Sequence, residues 1–332
     1  MTKLIYLDDS YKTEYRSIVT KVVQNGDLCE VVAAETIFYP QGGGQPSDIG
    51  EIRGKSGTLT VTHCRMQEGN VIHQGTLHGS LAEGDEIQET IKWKFRLEHM
   101  RRHSAGHIVH DAVSQTIPLL TPIKGDHGKN AFVEYEGLIN PILVSRIENL
   151  ANLMVIEARP IHTEYVTLEE LKNRAAWIPP HLPKHKPLRI VQIEGNNAIA
   201  NGGTQVKNTA EVGEIKITQV ENLSNTVKVH YQIESTLPTE ETKPTKTVQA
   251  AVVKASDPVS PYLENFVAAV EKQKSAFKTE MEAVNFSNRE KIWLKYFGSS
   301  GISTALIKQI RDLPLELRRQ AGMIVNDYKE SA

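Results

Sequence analysis

The chain has 332 residues, is 39% hydrophobic and 23% charged, and carries a formal net charge of -2. That length suggests two domains or slightly more, each able to bury a core, and the composition excludes disordered, collagen-like and coiled-coil chains. The two cysteines, Cys29 and Cys64, lie far apart in no C-x-x-C pair, which excludes a disulfide scaffold or thiolate-rich zinc finger and points to a reducing compartment. The opening MTKLIYLDDSYKTEY places an acidic pair where a signal peptide needs apolar residues, and no run of about 18 apolar residues occurs. A soluble, cytoplasmic protein with no membrane partner is the expectation. Near-neutral charge leaves only local basic patches for nucleic-acid contacts.

From residue 1 to 92 the chain reads as short strands broken by glycine: 17–23, 28–34, 58–63, 70–74 and 85–91. This spacing predicts a small β-barrel. From Trp93 the pattern turns helical, with Leu97, Met100, Ala105, Ile108, Val109, Ala112 and Val113 recurring at helical intervals, and a second domain is expected over 93–235. It continues with a strand over 131–135, a helix over 141–159, a strand over 161–165, a short helix over 168–175, and strands over 188–194, 210–218 and 226–232. Irregular alternation makes the class α+β. Residues 236–250 lie in a stretch rich in Thr, Glu, Lys and Pro and read as a linker. Residues 251–332 read as a helical extension, with Leu263, Phe266, Val267, Val270, Phe277 and Met281 on one face and a capping-box form at Ser287-Asn288-Arg289-Glu290. Such a stripe predicts core or dimer contact, and a homodimer through these helices is the expectation.

His103-Ser104-Ala105-Gly106-His107 sets two imidazoles four apart, on one face of a helix, which is the spacing of a metal-ligand pair. With 12 histidines in the chain, such a pair also arises by chance. The run Gln41-Gly42-Gly43-Gly44-Gln45-Pro46 has neither the G-K-[ST] of a phosphate loop nor the G-x-G-x-x-G of a dinucleotide turn, so no ATP or NAD is implied. It is either a tight hairpin or a ligand-facing loop.

Phe38-Tyr39-Pro40-Gln41-Gly42-Gly43-Gly44-Gln45-Pro46-Ser47-Asp48 resembles the glycine-rich motif of the alanyl-tRNA editing (AlaX) family and of the editing domain of alanyl-tRNA synthetase. His103 to His107 resembles that family's H-x-x-x-H motif, and Asn201-Gly202-Gly203-Thr204-Gln205-Val206 is similar to its C-G-G-T-H-V. The resemblance covers residues 1 to about 235. It implies an N-terminal barrel, an α+β editing domain, and hydrolysis of the ester of tRNA(Ala) mischarged with serine or glycine, with zinc as the usual metal. Carried over by position, His103 and His107 are metal ligands, and His103, His107 and Gln45 are the catalytic candidates. Thr36, Gly42, Gly43, Gly44, Asn201 and Gln205 are then expected to border the aminoacyl group.

Two of the four ligand positions depart from the family. Residue 201 is Asn instead of Cys, and residue 205 is Gln instead of His. Amide oxygens are hard, weak ligands, whereas zinc sites keep at least three Cys, His or carboxylate ligands. Zinc is therefore implied by the resemblance and disfavoured by the donor set, with His127, His162, Asp48 and His110 as replacement ligands. Without metal, a histidine could act as general base while Asn201 and Gln205 donate to the oxyanion. The alternative is a silent or repurposed aminoacyl-tRNA-binding protein. Lys92, Lys94, Arg96, Arg101 and Arg102 bracket the start of the histidine helix, and of these Lys92, Lys94, Arg101 and Arg102 are the candidates for tracking tRNA phosphates, against the reading of a solvated face interrupted by Glu98. Lys184, Lys186 and Arg189 form a second basic group.

Overall fold

The computed structural model describes every residue except 26–27, 180–181, 184, 234–260, 284–288, 299–300, 315–316, 319–320, 323, 326–327 and 329–332. Six antiparallel strands come first: β1 (Glu14–Asn25), β2 (Leu28–Ala33), β3 (Gly50–Arg53), β4 (Gly57–Gln67), β5 (Asn70–Gly79) and β6 (Glu86–Ile91). They close a barrel in the order β1-β2-β5-β4-β3-β6. Alternation explains which side chains point in: in β6 the residues at 87, 89 and 91 are buried and their neighbours are not. Bulges between Val19 and Lys21 and between Val61 and His63 supply the bends that closure needs. Val31, Ile37, Phe38, Ile52, Leu59 and Val71 fill the interior, together with both cysteines, which are free and buried as small apolar side chains.

The same alternation turns Glu89 inward among polar partners. Its Oε2 accepts from Ile37 N–H at 2.9 Å and lies 3.0 Å from Thr36 Oγ1, which is itself 2.9 Å from His73 Nε2. His73 Nδ1–H donates to the Val31 carbonyl at 2.9 Å, and the Thr36 hydroxyl donates to Glu89 Oε2. Burial pushes Glu89 from 4.5 up to about 8.

Helix α1 (Trp93–Thr116) leaves the barrel after Ile91 and enters the second unit. Its first turn is fastened to the barrel by Arg96, whose Nε donates to both Asp48 carboxylate oxygens at 3.0 Å. The remaining guanidinium nitrogens reach the carbonyls of Ser10, at 2.8 Å, and Ile37. The ion pair is fully enclosed, with side chains 0% and 1% exposed.

Strands β7 (Thr121–Asp126) and β8 (Phe132–Glu136), helix α2 (Val144–Ile156), strand β9 (Ile161–Val166), helix α3 (Leu168–Arg174) and strands β10 (Leu188–Ile193), β11 (Ile199–Ala200), β12 (Ile215–Asn222) and β13 (Thr226–Ile233) complete this unit. They form a four-stranded sheet β12-β13-β8-β7 and a three-stranded sheet β9-β10-β11. Met100, Ile108 and Ala112 of α1 and Ile147 and Met154 of α2 share one core with Val133, Tyr135 and Val229 of the larger sheet. Helix α3 begins with a complete capping box between Thr167 and Glu170. The α+β expectation, with barrel, central sheets and C-terminal helices, holds.

Local structure departs from the sequence pattern at several places. The strand expected over 210–218 begins only at Ile215, because Asn208 caps Ala210 N–H and starts a 3-10 turn, Thr209–Val212, that Gly213 ends at φ +79°. Strand β7 gives no apolar alternation and contains Pro122, which its edge position tolerates. The helix expected from residue 141 starts as a 3-10 turn, Pro141–Leu143, and becomes α-helical at Val144.

Of the extension, α4 (Pro261–Glu282), α5 (Arg289–Phe297) and α6 (Ile302–Ile310) are described, and Leu263, Phe266, Val270 and Phe277 of the α4 stripe are buried. That face shares one buried cluster with Tyr296 and Phe297 of α5, Leu306 and Ile310 of α6 and Leu153 and Ile156 of α2, so residues of the chain itself cover it. The expected linker and the first residues of the capping-box form lie outside the described residues. Among those described, no helix is long and apolar enough to cross a membrane.

Breaking an enclosed ion pair by removing one charge costs about 3–5 kcal/mol, so Asp48→Asn should lower the unfolding free energy by that order in urea titrations. Glu89 adds a pH dependence. The native state keeps its proton up to about 8 while the unfolded chain releases it at the ordinary carboxylate value, so stability falls as pH rises through this window. Glu89→Gln, neutral at every pH, should gain on the wild type progressively from pH 5 to pH 8.

Candidate active site

The three motifs meet at Gln45. Its Oε1 accepts from His103 Nδ1–H at 2.8 Å and from Thr204 N–H at 3.2 Å, and its Nε2 donates to Thr204 Oγ1 at 2.8 Å. One buried side chain from the barrel thus joins the histidine helix to the loop of residues 201–205. The glycine run is a tight turn, closed by paired backbone bonds between Gly42 and Gln45, with Gly43 and Gly44 at φ +54° and +79°. It also abuts the second unit: the Gly44 carbonyl accepts from His127 N–H at 2.8 Å.

His103 has both ring nitrogens engaged. Asn201 Nδ2–H donates to Nε2 at 3.0 Å, while Asn201 Oδ1 accepts from Gly203 N–H at 2.7 Å and so fixes which way the amide faces. Gln205 Oε1 accepts from Ser104 Oγ–H at 2.6 Å, and Ser104 accepts in turn from Val206 N–H at 3.1 Å. Gln205 Nε2 reaches Asn201 Oδ1 only at 3.5 Å, so its amide hydrogens are the freest donors in the cluster. His107 differs from His103: its Nε2 is buried and has no hydrogen-bond partner.

A third imidazole completes the group. His127 stacks on His103 at 4.2 Å between centroids, and His103 and His107 lie parallel at 5.2 Å. His127 Nδ1–H donates to Tyr231 Oη at 2.7 Å, and Tyr231 O–H donates to the Arg102 carbonyl at 3.0 Å. Space for it comes from Gly106 and Gly125, where a Cβ would stand 2.5 Å and 2.8 Å from His127 Cε1. Burial and the neighbouring imidazoles hold His103 well below the usual histidine range and bring His107 down to about 3, and burial brings His127 to about 4. All three rings are neutral at pH 7.

This arrangement does not fit zinc. Residues 201 and 205 put neutral amides where zinc takes Cys, His or carboxylate donors, which leaves His103 and His107 as the only inherited pair in place. Asn201 presents an N–H, a donor, to the imidazole. Among the described residues no group of three or more His, Cys, Asp or Glu side chains is placed to hold a metal ion. The other replacement ligands lie elsewhere or are committed: Asp48 to Arg96, His110 to Tyr135 Oη at 3.3 Å, and His162 on the exposed side of β9.

Thr36 is buried, its hydroxyl committed to His73 and Glu89 inside the barrel. Lys92 and Lys94 are exposed at the start of α1. Arg102 pairs with Glu98 on the same helix. Arg101, by contrast, is buried with its guanidinium on the Val212 carbonyl at 2.7 and 3.2 Å, which removes it from a phosphate-tracking surface. Ser104 and Thr204 lie inside the motifs without a role that the sequence assigns, and Tyr231, in β13, lies outside them and carries no signal.

One glutamine thus locks the barrel loop to the histidine helix and to the G-G-T loop. Residues 11–95 match the family model for class II (A) tRNA synthetases, and residues 285–332 that for the N-terminal domain of class II aminoacyl-tRNA synthetases. The chain is 31% identical over 223 residues to the alanyl-tRNA editing protein AlaX-L of Pyrococcus horikoshii, covering 65% of this chain and 54% of the relative. It is 29% identical over 242 residues to AlaX-M of Methanosarcina barkeri, covering 67% and 94%. Against the alanine–tRNA ligase of Methanococcus maripaludis it is 28% identical over 234 residues, 68% of this chain and 25% of the ligase. The chain thus spans about a quarter of the ligase and about half of AlaX-L. It belongs to the family formed by the AlaX editing proteins and the editing domain of alanyl-tRNA synthetase.

Because the His127 ring occupies the place of a Gly106 side chain, Gly106→Ala should destabilise the protein by about 1–3 kcal/mol. That loss should shrink in a His127→Ala background. A double-mutant cycle in urea checks the coupling.

Proposed function

We propose that this protein hydrolyses the aminoacyl ester of tRNA(Ala) wrongly charged with serine or glycine, without ATP. Support comes from the family and from the single observation that Gln45 draws the glycine turn, the histidine helix and the 201–205 loop to one point. The acceptor end of the tRNA is the partner, led in past the exposed Lys92 and Lys94. In this reading the four inherited ligand positions work without zinc. Their hydrogen bonds replace it: Gln45 and Asn201 fix the tautomer and plane of His103, which positions the wall of the site. His107 Nε2, the ring nitrogen left without a partner, accepts the proton of the attacking water. Gln205 Nε2–H supplies a donor to the carbonyl oxygen as it becomes negative. The proton then passes to the departing ribose hydroxyl, leaving free amino acid and tRNA.

A second reading is favoured by one observation. A histidine brought down to about 3 is a weak base at pH 7, which suits a site that binds the aminoacyl end and releases it unchanged. Release of serine or glycine from mischarged tRNA(Ala), measured with and without chelator, separates the two. Turnover above the uncatalysed rate, insensitive to chelator and reduced at least ten-fold in His107→Ala, is expected. Folded protein that binds the tRNA with no turnover establishes the second reading. Elemental analysis should find well under one equivalent of zinc, rising to one in Asn201→Cys/Gln205→His.

A further inference from the structure

Arg189 is the second residue of β10, and its side chain reaches the loop of residues 201–205. Nη1 donates to the carbonyls of Asn201 at 3.0 Å and Gly203 at 2.9 Å. Those two bonds hold the loop but occupy one nitrogen of the fork. The residue is only 8% exposed, yet among the described residues no carboxylate lies within ion-pair distance of it. Tyr165 of β9, then Tyr6 and Tyr39, themselves in edge-to-face contact at 5.3 Å, and Asp8 are the groups whose fields it feels. Its own charge reaches His103 and His107. Arg96, in the same seam, has the Asp48 carboxylate and two backbone carbonyls, and Arg101, on the Val212 carbonyl, has Glu98 and Glu211 close enough for their charges to reach it.

A largely buried guanidinium with no carboxylate beside it is stabilised when an anion reaches its remaining donors. Its position says which one. Gly203 touches both Arg189, through its carbonyl, and the His103 ring, against which a Cβ at 203 would clash, so one residue of backbone separates the guanidinium from the imidazoles. That is the reach of a single nucleoside, whose ribose carries the ester at one end and a phosphodiester at the other. The Tyr39 hydroxyl, bound to the Gly42 carbonyl at 2.8 Å, puts the glycine turn alongside. We infer that Arg189 is the seat of the phosphodiester that precedes the terminal nucleoside of the tRNA, with Nε and Nη2, which have no hydrogen-bond partner among the described residues, as its donors. This fixes the distance between the bound backbone and the ester, and it rests on the function proposed above only for the identity of the RNA.

Binding of tRNA(Ala) to the full chain as a function of salt tests it directly. Arg189→Gln should weaken binding roughly ten-fold or more, as for loss of one charge-assisted pair. It should also lower the slope of log K against log salt by about 0.7, the contribution of one phosphate on a single strand. Arg189→Lys, which keeps the charge, should keep the slope. In the deacylation assay the Gln variant should raise KM far more than it lowers kcat. On the wild-type protein, adenosine 5'-monophosphate should compete with tRNA at least ten-fold better than adenosine, a comparison that stands even if Arg189→Gln does not fold. Wild-type slope in folded Arg189→Gln, equal competition by the two nucleosides, or displacement of tRNA by free serine as effective as by the nucleotide would each overturn the assignment. Salt-dependent binding that needs Arg189 without turnover would sink the deacylase reading alone, and turnover with an unchanged slope would sink Arg189 alone.

Discussion

The enclosed pair between Arg96 and Asp48 is the contact on which the geometry of the site depends. Asp48 closes the segment that carries the glycine turn, since its backbone N–H and carboxylate both bind Tyr39. Arg96 sits two turns before His103 on the same helix. A charge pair taken wholly out of water is held by direction as well as attraction, because each oxygen and each N–H must find a partner. Here they do, in Ser10, Ile37 and Tyr39. The result fixes the angle between barrel and helix, and only at that angle does Gln45 reach His103 and Thr204 together.

Around that fixed seam the cluster is neutral where the family places a cation. Zinc binding needs lone pairs aimed at one point, and this chain uses them otherwise: Asn201 gives a proton to His103, and Gln205 takes one from Ser104. Two amides are well suited to this, since each offers a donor and an acceptor and can close a hydrogen-bond network without charge. The third imidazole, His127, fits the same logic. It contributes a stacked apolar face to His103 and anchors the sheet through Tyr231, and two glycines make room for it. The Arg189 guanidinium lies one residue of backbone away, so a cationic group stands beside the neutral cluster.

Much of this was legible in the residues. Period-two alternation outlined five of the six barrel strands, missing the short β3, and the apolar spacing after Trp93 gave the long helix. The motif resemblance supplied the candidate set His103, His107, Gln45, Asn201 and Gln205, which the fold does bring together. What failed to read was local and polar. Strand β7, with Pro122 and few apolar residues, is a strand because β8 pairs with it, and the turn at Thr209–Val212 follows from one Asn208 cap that outweighs the apolar run behind it. Arg101 and Arg102 look alike in the sequence and part company on the helix, one turned into the protein and the other toward Glu98.

By itself the sequence determined the element types, the class, and the loss of two metal-ligand chemistries, because these follow from side-chain identity and period alone. Only the tertiary structure decided what the substituted residues do instead. Whether Asn201 offers an oxygen or an N–H, whether His127 stacks on His103, and whether Arg189 meets a carboxylate or stands without one are matters of direction and distance between segments far apart in the chain. Hydrogen bonds and buried charges are strongly directional and costly to leave unmet, so the packing that sets those directions also sets the chemistry.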